Sequence, residues 1–578
     1  MNAKFSMVVS LLRPYRGQLI VATAVTAVLT LLSQTPPLLV RFLIDRVIEP
    51  GRWELLGLVV LGFAVLPVLR GGGSLISTVM LSLTGQRFVF DLRRRLVAHL
   101  SALGERFYQS MPAGTLLNRV MADSAFIQNM ITGRTIHYLH DVIYALFAVV
   151  MMVYLNASLS VVVLVILPLY LVNYLWFRPR IALRRRLWLR QVDQMSAFLQ
   201  ERIAAAQTVR AYAREYAELQ NFVGHHTACH DLALTSNWYT GIFTALAQLI
   251  TGWSMAVVYC FGCYRVLEGA MTYGDVVAFC AYASMLFTPM VRLTGMASEL
   301  IQTGVSLDRL SELERAEPDV VERAGAPALG PVRGEVRFDH VWFAYEGEQY
   351  VLREIDLEIP AGTSVALVGH TGCGKTTVAN LLLRNFDPSR GAIRVDGTDL
   401  REVTLDSLRR QTAMVFQDSI VFHASIRENI AYGRPEASAA EVAGAARVAE
   451  LHEFVERLPE GYETLLGEGG VVLSAGQKQR LSIARAVLVD PRVLILDEAT
   501  SSVDPMAEAQ IKRAMENVMA NRTTFVIAHR LTTVVKMDRI VVLDQGRIVE
   551  SGTHEELIAR KGHYFELFEQ QMKLMPRL

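Results

Sequence analysis

Apolar residues fill the first 300 positions in long unbroken stretches, and the polar residues between them are grouped rather than alternating. The stretches at about 18–43, 55–83, 137–155, 158–177, 241–264 and 276–300 each reach or approach the roughly 20 residues that an α-helix needs to cross a bilayer, so six transmembrane helices are predicted. The third is the weakest. Its uncharged run, Val142 to Leu155, is short and needs His140 and Asp141 at membrane depth. Two further segments, about 84–136 and 178–240, keep helical periodicity without a membrane-length run and should carry helices out of the bilayer, 20 residues extending about 30 Å. Beyond Gly334 the pattern changes to short, fully apolar runs such as Val365–Val368, Val493–Leu496 and Phe525–Ala528, which read as buried strands. The stretch rich in Glu, Ala, Pro and Gly before it is a linker, giving a membrane domain at 1–315, a linker at 316–334 and a second, globular domain at 335–578.

Composition agrees with the membrane reading: 52% of residues are hydrophobic and 20% charged, with a mean hydropathy of +0.29, too apolar for an ordinary soluble enzyme. The net charge of +1 conceals a grouping of arginines at Arg93–Arg95 and at Arg178, Arg180, Arg184–Arg186 and Arg190, after the second and fourth spans. Loops that rich in arginine face the cytoplasm, which puts both termini and the second domain inside a plasma (bacterial inner) membrane. No nucleic-acid partner is expected. The first apolar stretch continues through Pro36 and Pro37 to Leu43, longer than a cleavable signal. Five cysteines form no paired framework.

The candidate chemistry lies in the second domain. The run Val365–Val368 leads directly into Gly369, His370, Thr371, Gly372, Cys373, Gly374, Lys375, Thr376 and Thr377, and a helix follows. Strand, glycine-rich loop and helix in that order make a P-loop: backbone N–H groups converge on phosphate oxygens, Lys375 reaches the terminal phosphates and Thr376 offers a hydroxyl to Mg²⁺. Asp497 and Glu498 end the apolar run Val493–Leu496, where carboxylates face a ligand crevice. Asp497 is the expected magnesium-side acid, and Glu498 is placed to polarise the attacking water. Leu473–Gln477 precedes a second helix, another N-terminus suited to an anion. One ATP cannot easily sit at both places in one chain, so this motif should face the nucleotide of a partner subunit.

With these motifs the sequence resembles the ATP-binding cassette (ABC) transporter family over essentially its whole length, which implies an all-α six-helix membrane domain joined to an α/β P-loop ATPase domain. The resemblance makes Tyr345 the aromatic that stacks on adenine and Gln417 the glutamine that links Mg²⁺ to the membrane domain. Ser474, Gly476 and Gln477 become signature residues, Asp504 the D-loop acid and His529 the switch histidine. On chemistry alone Tyr345 is as well suited to a core, and His529 to a structural role. Gly467–Gly470 resembles a loop that touches the partner's coupling helices; Ser110–Arg119 with Asp123, and Gln207–Glu215, resemble the coupling segments themselves. Ala475 stands where a second glycine is common. Because no motif is decayed, the resemblance implies a homodimer with two working ATP sites, against the alternatives of a heterodimer half or an importer of exporter-like fold. Its cofactors would be ATP and Mg²⁺.

Arg70 and Arg292 fall well inside the second and sixth spans, where an arginine costs about 2.5–3.5 kcal/mol and needs a partner or water. Together with His140 they resemble the lipid A flippase branch of the family, in which basic residues hold lipid phosphates. They are candidate contacts for an anionic amphiphile or a hydrophobic drug-like compound. Pairing within the protein, to Asp141 or Glu299, accounts for them equally well.

Overall fold

The computed structural model describes residues 12–467, 470–497, 505–528 and 534–574, with side chains throughout except at 134–135, 288, 290–298, 300–301, 505–506 and 572–574. The chain divides into two compact units, one of Met1–Ala102 with Met111–Ala316 and the other of Leu103–Ser110 with Glu317–Leu578.

The first unit is helical throughout. Its helices are α1 (Arg16–Ser33), α2 (Pro36–Phe42) and α3 (Leu56–Ala102), then α4 (Glu105–Ser110), which belongs to the other unit, and α5 (Ala113–Asn118), α6 (Ser124–Asn129) and α7 (Thr135–Leu155). After these come α8 (Ala157–Ala204), α9 (Ala206–Ala211), α10 (Glu215–Leu267) and α11 (Tyr273–Arg315). Among the described residues five helical stretches are long and apolar enough to cross a membrane, and α11 adds the shorter apolar segment Tyr273–Phe287. Only 6–28% of each apolar window is buried in the protein. That is the inverse of a water-soluble core, and hydrocarbon is the solvent that such surfaces fit.

Helix ends follow from local chemistry. Asn156 caps α8 by accepting from the Leu159 N–H at 2.9 Å, and Thr272 and Asp275 cap α11 reciprocally. At 48 residues α8 would be about 72 Å long, over twice the hydrocarbon thickness, so one helix both spans and projects. It packs along α10, where the Tyr170 hydroxyl donates to the Ala247 carbonyl at 2.7 Å and satisfies a polar tip inside an apolar contact. The expected first coupling segment divides between the units. Arg119 bonds Glu312 at 2.7 Å, and Asp123, 7% exposed, accepts from Ser306 at 2.7 Å, bracing α5 and the turn after it against α11. The preceding α4 instead joins the second unit, where the Arg106 N–H donates to Asp319 at 3.2 Å. In the second expected coupling segment, α9 is followed by Tyr212, which is 75% exposed.

The second unit holds two sheets. One is antiparallel in the order β2 (Tyr350–Ile359), β1 (Val336–Ala344), β4 (Arg390–Val395), β5 (Thr398–Asp399). The other runs β10 (Arg547–Gly552), β9 (Arg539–Asp544), β3 (Ser364–Val368), β8 (Thr523–Ile527), β7 (Val493–Asp497), β6 (Thr412–Val415), parallel from β9 to β6. Its central strands are apolar at successive positions because both faces are covered: Ala366 and Val368 join one core, Val365 and Leu367 the other. The stretch before β1 is not a free tether. The Pro327 carbonyl accepts from Thr404 N–H at 3.1 Å, and the Asp396 carboxylate accepts from Gly334 and Glu335 N–H at 3.1 and 2.8 Å.

Candidate nucleotide site and membrane cavity

Parallel pairing fixes which sequence segments meet. Val415 lies beside Leu496, Leu496 beside Val526, and Val526 beside Ala366, so β6, β7, β8 and β3 end together. That edge carries Gln417, Asp497 and the loop beginning at Gly369, although they are far apart in sequence. Asp497 is half-buried, whereas Gln417 is exposed two residues past its strand. Glu498, Asp504 and His529 lie outside the described residues, as does part of Gly467–Gly470.

The loop has the backbone a P-loop requires. Gly369 has φ +149°, and a Cβ there would sit 2.1 Å from the Leu543 carbonyl oxygen; at Gly374, φ +108°, it would meet Leu352 Cδ2 at 2.5 Å. Only glycine fits both positions. Helix α12 (Lys375–Leu382) follows, with the Lys375 Nζ donating to the Gly369 and His370 carbonyls at 2.7 and 3.0 Å. Its ammonium therefore sits within the loop. Thr376 is exposed at the helix start, while Thr377 is buried and its Oγ1 lies 3.1 Å from the Tyr345 hydroxyl. Tyr345 is partly buried, edge-on to Phe343 at 4.9 Å and Phe386 at 5.3 Å. Phe386 also carries the Arg106 guanidinium, 5.9 Å from its centroid. Sequence reading had not singled out Phe386 or Arg106, since neither belongs to a local motif.

Helix α13 (Ala475–Val489) starts at a capping box. Ser474 Oγ accepts from the Gln477 N–H at 3.3 Å, and Gln477 Oε1 accepts from the Ser474 N–H at 2.8 Å. Ser474 stays exposed and Gly476 is buried. Behind it, Gln479 Oε1 accepts from Ser419 at 3.0 Å, which fastens this helix to the segment after Gln417. Arg485 is seated against Phe422 at 5.3 Å and donates to the Asn429 carbonyl at 2.7 Å; burial pulls its pKa below the ordinary arginine value.

In the membrane unit Arg70 and His140 border one cavity of about 870 Å³ between α1, α3 and the α6–α7 segment. Much of its lining is hydroxyl and amide: Thr26, Thr30, Ser74, Ser77, Gln128 and Asn129. Sequence reading missed these residues. The available signal was small polar residues recurring three or four apart within apolar helices, one face at a time. His140 Nδ1 lies 3.5 Å from Asp141, and Glu299 accepts from the Tyr138 hydroxyl at 2.5 Å. Among the described residues no carboxylate is within salt-bridge distance of Arg70, and the Arg292 side chain lies outside them.

A glycine-rich loop of phosphate-loop pattern at the edge of a parallel sheet, in a chain whose other half is built of membrane-length helices, is the arrangement expected of an ATPase fused to a membrane domain. Residues 19–290 match the ABC transporter transmembrane region and residues 352–501 the ABC transporter family. An ATP-dependent lipid A-core flippase of Syntrophus aciditrophicus is 35% identical over 98% of this chain and 94% of its own length. A Bacillus subtilis ATP-binding/permease protein named for multidrug export is 34% identical over 96% and 97%. The solved structure of a bacterial Atm1-family ABC exporter with ATP bound superposes with a TM-score of 0.81 at 31% identity, covering 96% of this chain and 99% of that one. The chain belongs to the ABC transporter family. It is an ATP-hydrolysing membrane transporter of the exporter architecture.

Proposed function

We propose that this exporter moves an amphiphile with an anionic head, and that Arg70 and His140 hold that head. The observation carrying the proposal is that both residues border one polar cavity in which Arg70 has no carboxylate partner among the described residues. A guanidinium at membrane depth without a counterion is costly, and an anionic head in a hydroxyl-lined cavity would offset that cost. Arg292 is a third candidate contact. The names of the flippase and multidrug relatives favour a lipid or a hydrophobic compound as cargo.

In this reading the membrane domain spans 1–315, the linker 316–334 and the ATPase domain 335–578, with termini and ATPase domain cytoplasmic beneath the bacterial inner membrane. Gly369–Thr377 cradles the phosphates, and Tyr345 borders adenine. Thr376, Gln417 and Asp497 suit Mg²⁺, which when bound would neutralise phosphate charge. Exposed Thr376 and half-buried Asp497 are oxygen donors on the sheet edge that carries the phosphate loop, so the donor set fits a hard cation. Ser474, Gly476, Gln477 and Asp504 would face the nucleotide held by a second copy, making a homodimer. Glu498 acts as base and His529 as γ-phosphate sensor. Because ATP favours the closed dimer, its binding turns the cavity outward and its hydrolysis resets it.

Arg70→Ala and His140→Ala proteins in nanodiscs should keep basal ATPase and lose its stimulation by lipid A or an anionic phospholipid. Undiminished stimulation in both would overturn the assignment.

A further inference from the structure

The first span is broken where the cavity beside Arg70 ends. Helix α1 stops at Ser33 and α2 starts at Pro36, and because Pro36 and Pro37 have no N–H the helical ladder lapses between them. The Leu38 N–H, which a regular helix would give to Gln34, goes instead to the Thr35 carbonyl at 3.0 Å. The freed Gln34 carbonyl accepts from the Tyr282 hydroxyl of α11 at 2.8 Å, and the Gln34 Nε2 donates to the Tyr144 carbonyl of α7 at 2.7 Å. One residue thus ties the break to two other spans. Gln34 is 0% exposed, and its Oε1 has no hydrogen-bond partner among the described residues.

Ser33 and His140 are the last residues of α1 and α7 to border the cavity. Gln34 follows Ser33 directly, and the Tyr144 ring is stacked on His140 with centroids 5.4 Å apart. Past this node the helices close on one another: Ala148, Met152, Phe279 and Tyr282 are each 0% exposed, and Leu38 packs against them. The next step rests on the proposed orientation, with both termini cytoplasmic. Helices α1 and α7 then run outward, and the node is the outer end of the cavity.

We propose that Gln34 is the outer latch of the transport cavity, with Tyr282 as the group that holds it. Its two bonds keep the first, third and sixth spans together at that end, and cargo leaves outward only after they part. The bare Oε1 sets the strength of the latch. A buried acceptor without a donor costs free energy that water returns when the end opens, so the latch holds and still yields when ATP closes the ATPase domains. The two side chains therefore act in opposite senses. Gln34→Leu removes the acceptor that gains by wetting and adds apolar surface that loses by it, which favours the sealed end. Tyr282→Phe leaves the Gln34 carbonyl bare while the end is sealed, which favours the open one.

The test is labelling of S33C in the full-length protein by a membrane-impermeant maleimide, in right-side-out membrane vesicles, with the labelling of the protein that keeps Ser33 subtracted. Without nucleotide, Y282F should raise the rate of labelling from outside by about five- to tenfold, the lower end of the cost of one bare buried carbonyl. In vesicles loaded with ATP and vanadate, Q34L should lower that rate by about fivefold or more. Opposite shifts cannot come from a shared loss of packing. Unchanged labelling in Y282F, unchanged labelling in Q34L, or shifts of the same sign in both would overturn the latch. A rise in Y282F confined to inside-out vesicles would overturn the outer assignment by reversing the orientation, whereas the anionic-head reading of Arg70 is judged separately, by lipid stimulation of the ATPase.

Discussion

Phe386 meets Tyr345 edge-on at 5.3 Å and carries the Arg106 guanidinium on its own ring at 5.9 Å. The aromatic proposed to border adenine is thus one ring away from α4, the segment that precedes α5 in the chain but packs in the ATPase unit. Removing the ring at Tyr345 should weaken nucleotide binding by about three- to tenfold, the worth of one aromatic contact, while Tyr345→Phe should stay near wild type. ATP titration of the ATPase rate distinguishes the two variants. Equal loss in both would place the effect in the hydroxyl facing Thr377.

Gly369→Ala should disable the loop without touching any phosphate contact. The added Cβ would lie 2.1 Å from the Leu543 carbonyl at a backbone angle that other residues rarely adopt, so β3 and β9 would have to separate. We expect a loss of about 2–4 kcal/mol in the stability of the ATPase unit, measured by urea unfolding. Lys375→Ala, by contrast, should spare stability and abolish nucleotide binding.

Glu498→Gln should leave ATP binding intact and slow turnover by about 10²–10⁴-fold, the range of general acid–base contributions. Single-turnover hydrolysis with trapped nucleotide provides the measurement. Rapid turnover by this variant would remove Glu498 from the role of base.

Alkaline stability should depend on Tyr564. Its side chain is fully buried, with the hydroxyl 2.8 Å from His554 Nδ1, and burial pushes its pKa from 10.0 up to about 12. The folded state therefore retains the phenol proton more strongly than the unfolded chain, so stability is intact below pH 10 and declines as pH rises towards 12. Unfolding curves collected across that window should show the decline, and Tyr564→Phe should flatten it.

Asp123→Ala should strip a partner from Ser306, which donates to the carboxylate at 2.7 Å, and from Arg309 at 3.9 Å. Because the site is buried, the cost should be about 1–3 kcal/mol. Thermal unfolding in detergent would measure it, and the coupling of ATPase to transport should fall with it.

Sequence alone determined the features that are local in origin. A run of about 20 apolar residues reads as a membrane helix wherever it sits, and a strand followed by Gly369–Thr377 and a helix has the pattern of a phosphate loop, because backbone geometry and hydration act over a few residues. The same holds for Asp497 at the end of an apolar strand and for Ser474 opening a helix. What needed the tertiary structure was every relation across the chain. Strand pairing put Gln417 and Asp497 on the edge that begins the phosphate loop, and helix packing gathered Thr26, Ser77 and Asn129 around Arg70. It also placed α4 with the ATPase unit while Asp123, a few residues later, was fastened to α11. Such contacts depend on which faces meet, and a face is fixed only when neighbouring elements bury it.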